Sequence, residues 1–216
     1  MSREHKYQAI ILKKQPFNEG DEIITFFSLE NGKIRGLAKS VKLAKSRLRH
    51  ALQTLFLVNI RLTASKGMPK IISAEVVKSF SGIRENLPAA AGAFYAIELL
   101  LKFTADEQKN EKLFNLLLDF LSFLDDYPAE DPGLALVKFK TELLSAVGLS
   151  VTFHDDLAKQ ADKLRQCQIL EQTAYKNLAS LKNFGEINLL QEFLSNFIVF
   201  HLERQVNSEI FLKNVI

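Results

Sequence analysis

The pattern of apolar residues changes once along the chain, between residues 80 and 88. Before this point, apolar residues form short runs rich in β-branched and aromatic side chains, such as Glu22–Leu29, which is typical of strands. After Pro88 they recur at helical spacing, as in Lys112–Asp126. A chain of 216 residues is long enough for two small domains. We therefore expect an α+β protein, with a β domain at residues 1–80 and an all-helical domain at residues 81–216.

The first domain is predicted to be an OB-fold β-barrel. Asn31–Gly32 directly follows one strand candidate and strongly indicates a hairpin, because both residue types tolerate positive φ. The five strand candidates are Tyr7–Lys14, Glu22–Leu29, Lys33–Ala38, Leu55–Leu62 and Lys70–Val77. A barrel is favoured because closing five short strands on one another removes most of the exposed strand edges.

The second domain is predicted to be helical. Two helices are expected at Ala89–Phe103 and Lys112–Asp126, and a long last helix is expected towards His201–Gln205. Another helix should begin at the cap Asp131 with Pro132 and end at Gly148, a left-handed stop.

Charge divides the chain in the same place. Residues 1–80 hold 15 Lys and Arg against 6 Asp and Glu, a net charge of +9, whereas residues 81–216 hold 13 against 19, a net charge of −6. Such a difference indicates two units with different partners, of which the basic one faces a polyanion.

Seven basic residues and no acidic residue lie between positions 33 and 49. This basic segment consists of Lys33, Arg35, Lys39, Lys42, Lys45, Arg47 and Arg49. A solvated loop without a partner is the simplest interpretation of such a run. Its position within an OB-type barrel favours contact with the phosphates of nucleic acid instead. Phe26, Phe27 and Phe56 are candidates for base stacking, and Phe17 lies in a turn. Phe26 and Phe27 must face opposite sides of their strand, and burial of both is the favoured interpretation.

Signals for catalysis are weak. The chain has no Walker-type phosphate loop, no H-E-x-x-H motif and no G-x-S-x-G motif. Cys167 is the single cysteine, and His154, Asp155 and Asp156 lack a second clustered histidine, so we expect no catalytic site, no metal and no cofactor. Without a signal peptide or an apolar stretch of about 18 residues, the expected protein is cytoplasmic and has no membrane partner.

The order of motifs in residues 9–53 resembles the RecO recombination mediators. The matching parts are the turn Pro16–Asp21, the strand end Gly32–Arg35, then Ala38–Ser40, the basic residues and Leu48–Gln53. Val137–Leu149 and His201–Leu212 resemble two later motifs of the family. The likeness spans nearly the whole chain.

The resemblance implies an OB barrel followed by a helical domain in a nucleoid-associated DNA repair protein. Such proteins bind single- and double-stranded DNA and anneal complementary strands. With RecR and the acidic tail of single-stranded DNA-binding protein as partners, they help RecA to load. By this resemblance the seven basic residues would contact DNA, while Lys138 and Phe139 would meet the acidic, apolar tail.

The chain departs from the family pattern at three places. Many relatives hold zinc with four cysteines in the helical half, whereas Cys167 alone is present here, so we expect the zinc site to be absent. The family's A-K-G reads Ala38-Lys39-Ser40, and its H-L-G reads His201-Leu202-Glu203, with Glu209 where a basic residue is usual.

Two other functions remain open. The first is a generic OB-fold RNA-binding protein, which would need contacts to the 2′-hydroxyl group. The second is a non-catalytic adaptor that acts through its helical domain, with the basic segment serving solubility.

Overall fold

The computed structural model describes residues 4–65, 67–127, 132–149, 161–181 and 187–215. Contacts divide the chain into two compact units. The first unit contains residues 1–80 and 104–115, and the second contains residues 81–103 and 116–216. Residues 104–115, which follow the first long helix in sequence, therefore contact the β unit.

The first unit is a closed barrel of five strands in the order β1-β2-β3-β5-β4. The strands are β1 (Glu4–Pro16), β2 (Glu22–Ser28), β3 (Gly32–Ala38), β4 (Leu57–Thr63) and β5 (Lys70–Lys78), with a short helix α1 (Leu48–Ala51) between β3 and β4. Neighbouring strands are antiparallel except β3 and β5, which meet at Leu37 and Lys70. The expected OB-like β unit is confirmed.

The interior of the barrel is filled by inward-facing apolar side chains. Ile11, Ile24, Phe26 and Val58 are each fully buried in one cluster. The hairpin predicted from Asn31–Gly32 joins β2 to β3, and Gly32 has a φ of 67°. Any side chain at position 32 would also meet the backbone oxygen of Gln108, so glycine is required there for two reasons, the positive φ and the lack of space.

The second unit is helical in every part that the structure describes. Its elements are α2 (Ser81–Glu85), α3 (Leu87–Phe103), α4 (Glu111–Asp126, shared with the first unit), α5 (Gly133–Ala146), α6 (Ala161–Gln172), a 3₁₀ helix (Tyr175–Ser180), α7 (Ile187–Leu202) and α8 (Asn207–Lys213). This confirms the α+β fold class. No described helix is long and apolar enough to cross a membrane.

Helix α5 packs against α3, α6 and α7, and most of its residues are buried. It ends as predicted, since Gly148 has a φ of 79° and the Leu149 N–H donates to the Leu144 carbonyl. The predicted cap Asp131 lies outside the described residues.

Candidate nucleic-acid interface

Residues 39–49, which we call the basic loop, leave the barrel at the end of β3 and run into α1. Val41 and Leu52, at 1% and 0% exposure, anchor this region in the barrel core. Burying these apolar side chains holds the loop on the barrel. The polar residues between the two anchors are left facing solvent.

Five of the seven predicted DNA contacts lie on the basic loop. All five are exposed: Lys39, Lys42, Lys45, Arg47 and Arg49. None of them makes an ion pair with any residue in the described part of the chain. These side chains are therefore open to phosphate groups, whose contacts with Lys and Arg dominate binding to nucleic acid.

The turn between β1 and β2 holds the start of the basic loop. The Ser40 N–H donates to Oδ1 of Asp21 at 2.8 Å, and the Lys42 N–H donates to the Gly20 carbonyl at 3.1 Å. The strand register agrees, because Pro16 is opposite Glu22 and Glu22 is opposite Ala38. The turn and the basic loop therefore leave the barrel at the same end.

The other two predicted contacts, Lys33 and Arg35, differ from these five because both make ion pairs with Asp106. Arg35 Nη2 lies 2.8 Å from Oδ2 of Asp106, and Lys33 Nζ lies 3.4 Å from Oδ1 of the same carboxylate. Lys33 also donates to the Thr104 carbonyl, and its own carbonyl accepts the Glu107 N–H at 2.8 Å. Residues 104–107 thus lie along β3 and supply a carboxylate to both cations.

The phenylalanines of the barrel unit that were considered for base stacking differ in exposure. Phe26 and Phe27 are fully buried and Phe56 is 8% exposed, so none of the three presents a face to a base. Phe17, in the turn between β1 and β2, is 55% exposed.

Comparison with known proteins agrees with this architecture. The family model described as "Recombination protein O N terminal" matches residues 1–80, and the one described as "Recombination protein O C terminal" matches residues 84–164. Together the two models cover well over half of the chain. The chain belongs to the RecO family of DNA repair proteins.

Individual RecO relatives match over stretches of different length. The DNA repair protein RecO of Dehalococcoides mccartyi strain CBDB1 is 36% identical over 150 residues, covering 68% of this chain and 58% of the relative. That of Geobacter metallireducens is 35% identical over 118 residues, covering 55% and 48%. That of Caldicellulosiruptor saccharolyticus is 29% identical over 194 residues, covering 90% and 79%. The chain thus spans about half the length of the first two relatives.

Two departures from the RecO pattern lie at residues with a left-handed backbone conformation. Ser40 and Glu203 stand where the family pattern has glycine, and their φ angles are 52° and 51°. This left-handed conformation is easy for glycine and costs other residues free energy. At both positions the chain therefore has a backbone conformation that glycine would adopt at a lower cost in free energy.

The two residues predicted to meet an acidic tail are not at the surface. Phe139 is fully buried, and Lys138 is 3% exposed. Lys138 Nζ donates to Oε1 of Glu142 at 2.7 Å and to the Leu170 carbonyl at 2.8 Å, and it lies 5.1 Å from the centre of the Tyr175 ring. In this conformation Lys138 ties α5 to the last turn of α6, and neither residue offers a surface to a partner.

Cys167 is also an interior residue of α6. Burial raises the pKa of its thiol, so it has none of the activation of a reactive cysteine. Within the described ranges, no group of three or more His, Cys, Asp or Glu side chains is placed to hold a metal ion. His154, Asp155 and Asp156 lie outside those ranges.

Sequence reasoning missed Asp106, the residue that most changes the candidate site. It is 71 residues from Arg35 along the chain. No motif surrounds it that would have indicated a contact with β3.

Proposed function

We propose that this chain is a recombination mediator that binds the backbones of single- and double-stranded DNA through the basic loop. The observation that supports this most is the loop itself: five exposed cations without ion pairs among the described residues, held on an OB-like barrel. Such an arrangement grips phosphates without reading base edges, so binding has little sequence preference.

Charge neutralisation gives the proposed mechanism of annealing. Two complementary strands repel one another through their phosphates. When both lie near the basic loop, its cations reduce this repulsion, and the bases are free to pair. If all five cations contact a single strand, log affinity falls with log salt at a slope of about −3.5.

The partners proposed for the helical unit are RecR and the acidic tail of single-stranded DNA-binding protein. Through them the protein would be recruited to coated single strands and would help RecA to load. In this proposal both residues act from the interior: Lys138 holds α5 against α6, and Phe139 packs against Phe120 of α4. Direct contact of these two residues with the tail would require a different conformation of the helical unit.

Strand annealing tests the proposal. In the full chain, Lys42, Lys45 and Arg47 are changed together to glutamate. In the matched control, three exposed cations of the helical unit are changed to glutamate instead, so that the net charge falls by the same amount. They are Arg165, Lys176 and Arg204. We expect annealing and DNA binding to be lost in the loop variant and kept in the control.

An equal loss of DNA binding in the two variants would overturn the proposal, because net charge rather than the loop would then govern binding. Normal binding by both variants would overturn it too, because the loop would then not be needed. The same assay with matched RNA and DNA oligonucleotides tests the alternative of an RNA-binding protein. A strong preference for RNA would contradict a DNA-directed function.

A further inference from the structure

One aromatic residue of the barrel unit is placed differently from the others. This unit contains seven Phe and Tyr residues, all within the described ranges: Tyr7, Phe17, Phe26, Phe27, Phe56, Phe80 and Phe114. Five are buried, Tyr7 is half-buried against the core, and Phe17 alone is exposed. Single exposed apolar residues are common on proteins, so its surroundings decide what it means.

Phe17 lies in a turn that is held by hydrogen bonds between its own residues. Its N–H donates to the Asp21 carbonyl at 3.2 Å, and the side chains of Asn18 and Asp21 meet at 3.5 Å. The hydrogen bonds from Ser40 and Lys42 described above then join this turn to the basic loop. The aromatic ring is therefore carried by a fixed support at the same end of the barrel as the five exposed cations.

The charge of the turn differs from that of the loop beside it. Glu19 is exposed in the turn, and Asp21 is already engaged by Ser40. A carboxylate repels phosphate, whereas the cations of the basic loop attract it. A strand bound here would keep its backbone on the loop and turn its bases towards Phe17.

We propose that Phe17 is a stacking platform for an unpaired base of single-stranded DNA bound along the basic loop. The proposal rests on the proposed function and adds a preference for single strands to it. Bases in a duplex are already stacked on one another and offer no free face. An exposed aromatic ring beside a cationic track is the combination by which sequence-tolerant proteins hold single strands.

Equilibrium binding of a single-stranded oligonucleotide and of a duplex to the Phe17→Ala variant tests this. The loss of one stacked base should weaken single-strand binding roughly five- to a hundredfold. The slope of log affinity against log salt should stay as in the unchanged chain, because no charge is removed. Duplex binding should change less than about twofold, and Phe17→Tyr should retain the single-strand affinity.

Two controls separate stacking from other effects. Phe200→Ala removes a ring that is 72% exposed in the helical unit, and Leu43→Ala removes a non-aromatic side chain that is 58% exposed on the basic loop. Neither should weaken single-strand binding as Phe17→Ala does. An equal loss in Leu43→Ala, an equal loss on the duplex, or no loss in Phe17→Ala would overturn the stacking role.

Failure of this inference is distinguishable from failure of the proposed function. If Phe17→Ala binds normally while the loop variant with three glutamates does not, the stacking role is wrong and the phosphate track stands. If the loop variant also binds normally, the proposed function itself is wrong.

Discussion

The basic loop of the barrel and helix α5 of the helical unit use the same residue type in opposite ways. The loop lysines, such as Lys42, are exposed and make no ion pair within the described chain. On α5, Lys138 and Lys140 are 3% and 2% exposed, and each Nζ is held by protein oxygen atoms, those of Glu142 and Leu170 for Lys138 and of Ser195 for Lys140. The comparison shows that residue type alone does not distinguish a lysine that faces solvent from one that stabilises the fold, because only the surroundings differ.

The largest expected effect is on the free energy of unfolding, which should fall far more when a buried lysine is replaced than when an exposed one is. Lys138→Met removes the positive charge that pairs with the partly buried carboxylate of Glu142. It also leaves the Leu170 carbonyl without this hydrogen-bond donor. Breaking such a pair should cost about 3 kcal/mol in the free energy of unfolding, measured by urea denaturation. The same change at exposed Lys42 should cost less than about 0.5 kcal/mol.

A double substitution checks the reason for that loss. Lys138→Met together with Glu142→Leu removes both partners of the pair and should recover much of the stability. No recovery would mean that packing of the lysine stem, rather than the unpaired carboxylate, caused the loss.

The pH dependence of the Lys138→Met variant sharpens the comparison further. Burial raises the pKa of Glu142, and Lys138 opposes that rise, so its removal should raise this pKa more. A carboxyl with a raised pKa in the folded state takes up a proton on folding, so its penalty is present at neutral pH and disappears as the pH falls through that pKa. The stability deficit of Lys138→Met should therefore shrink as the pH is lowered from neutral. A deficit that grows on acidification would contradict this origin.

Asp106 defines a third condition, in which an exposed cation, Arg35, is paired with a carboxylate of the protein itself. Asp106→Asn should free Arg35 for phosphate and raise single-strand affinity several-fold, whereas Lys33 keeps its bond to the Thr104 carbonyl. If Arg35 then contacts a phosphate, the salt slope should steepen by about 0.7. Glu107→Gln changes the net charge equally in the same segment, and it should leave the salt slope unaltered. The two slopes, measured by fluorescence anisotropy, should therefore differ.

The smallest expected effect concerns the backbone that supports the loop. Ser40→Gly should relieve the left-handed strain at a φ of 52° and raise the free energy of unfolding by about 0.5 kcal/mol. Ser46→Gly, on the same loop without a positive φ, should lower it slightly. If both changes are destabilising in thermal unfolding, the strain at Ser40 is negligible.

Local signals in the sequence explain what could be predicted. The hairpin follows from Asn31–Gly32 and the end of α5 from Gly148, because each depends on the conformation of one or two residues. The barrel follows from five short strands that need closed edges. The clustering of cations in residues 33–49 similarly indicated the loop.

The remaining features depend on contacts between distant parts of the chain. Lys138 was expected to meet an acidic tail, but α5 is covered on several sides, and the carbonyl that accepts a hydrogen bond from this lysine lies 32 residues away. Asp106 reaches β3 through residues 104–107, which no local pattern linked to the barrel. The burial of both Phe26 and Phe27 was likewise decided by packing, since they lie on opposite faces of one strand and both are fully covered.

The most direct measurement is the salt dependence of single-strand binding by the full chain and by its variant with glutamate at positions 42, 45 and 47. If the basic loop is the phosphate track, the unchanged chain should show a slope near −3.5, and the variant should lose about 2 of it together with most of its affinity. Equal slopes and equal affinities would contradict the assignment of the loop as the DNA-binding surface.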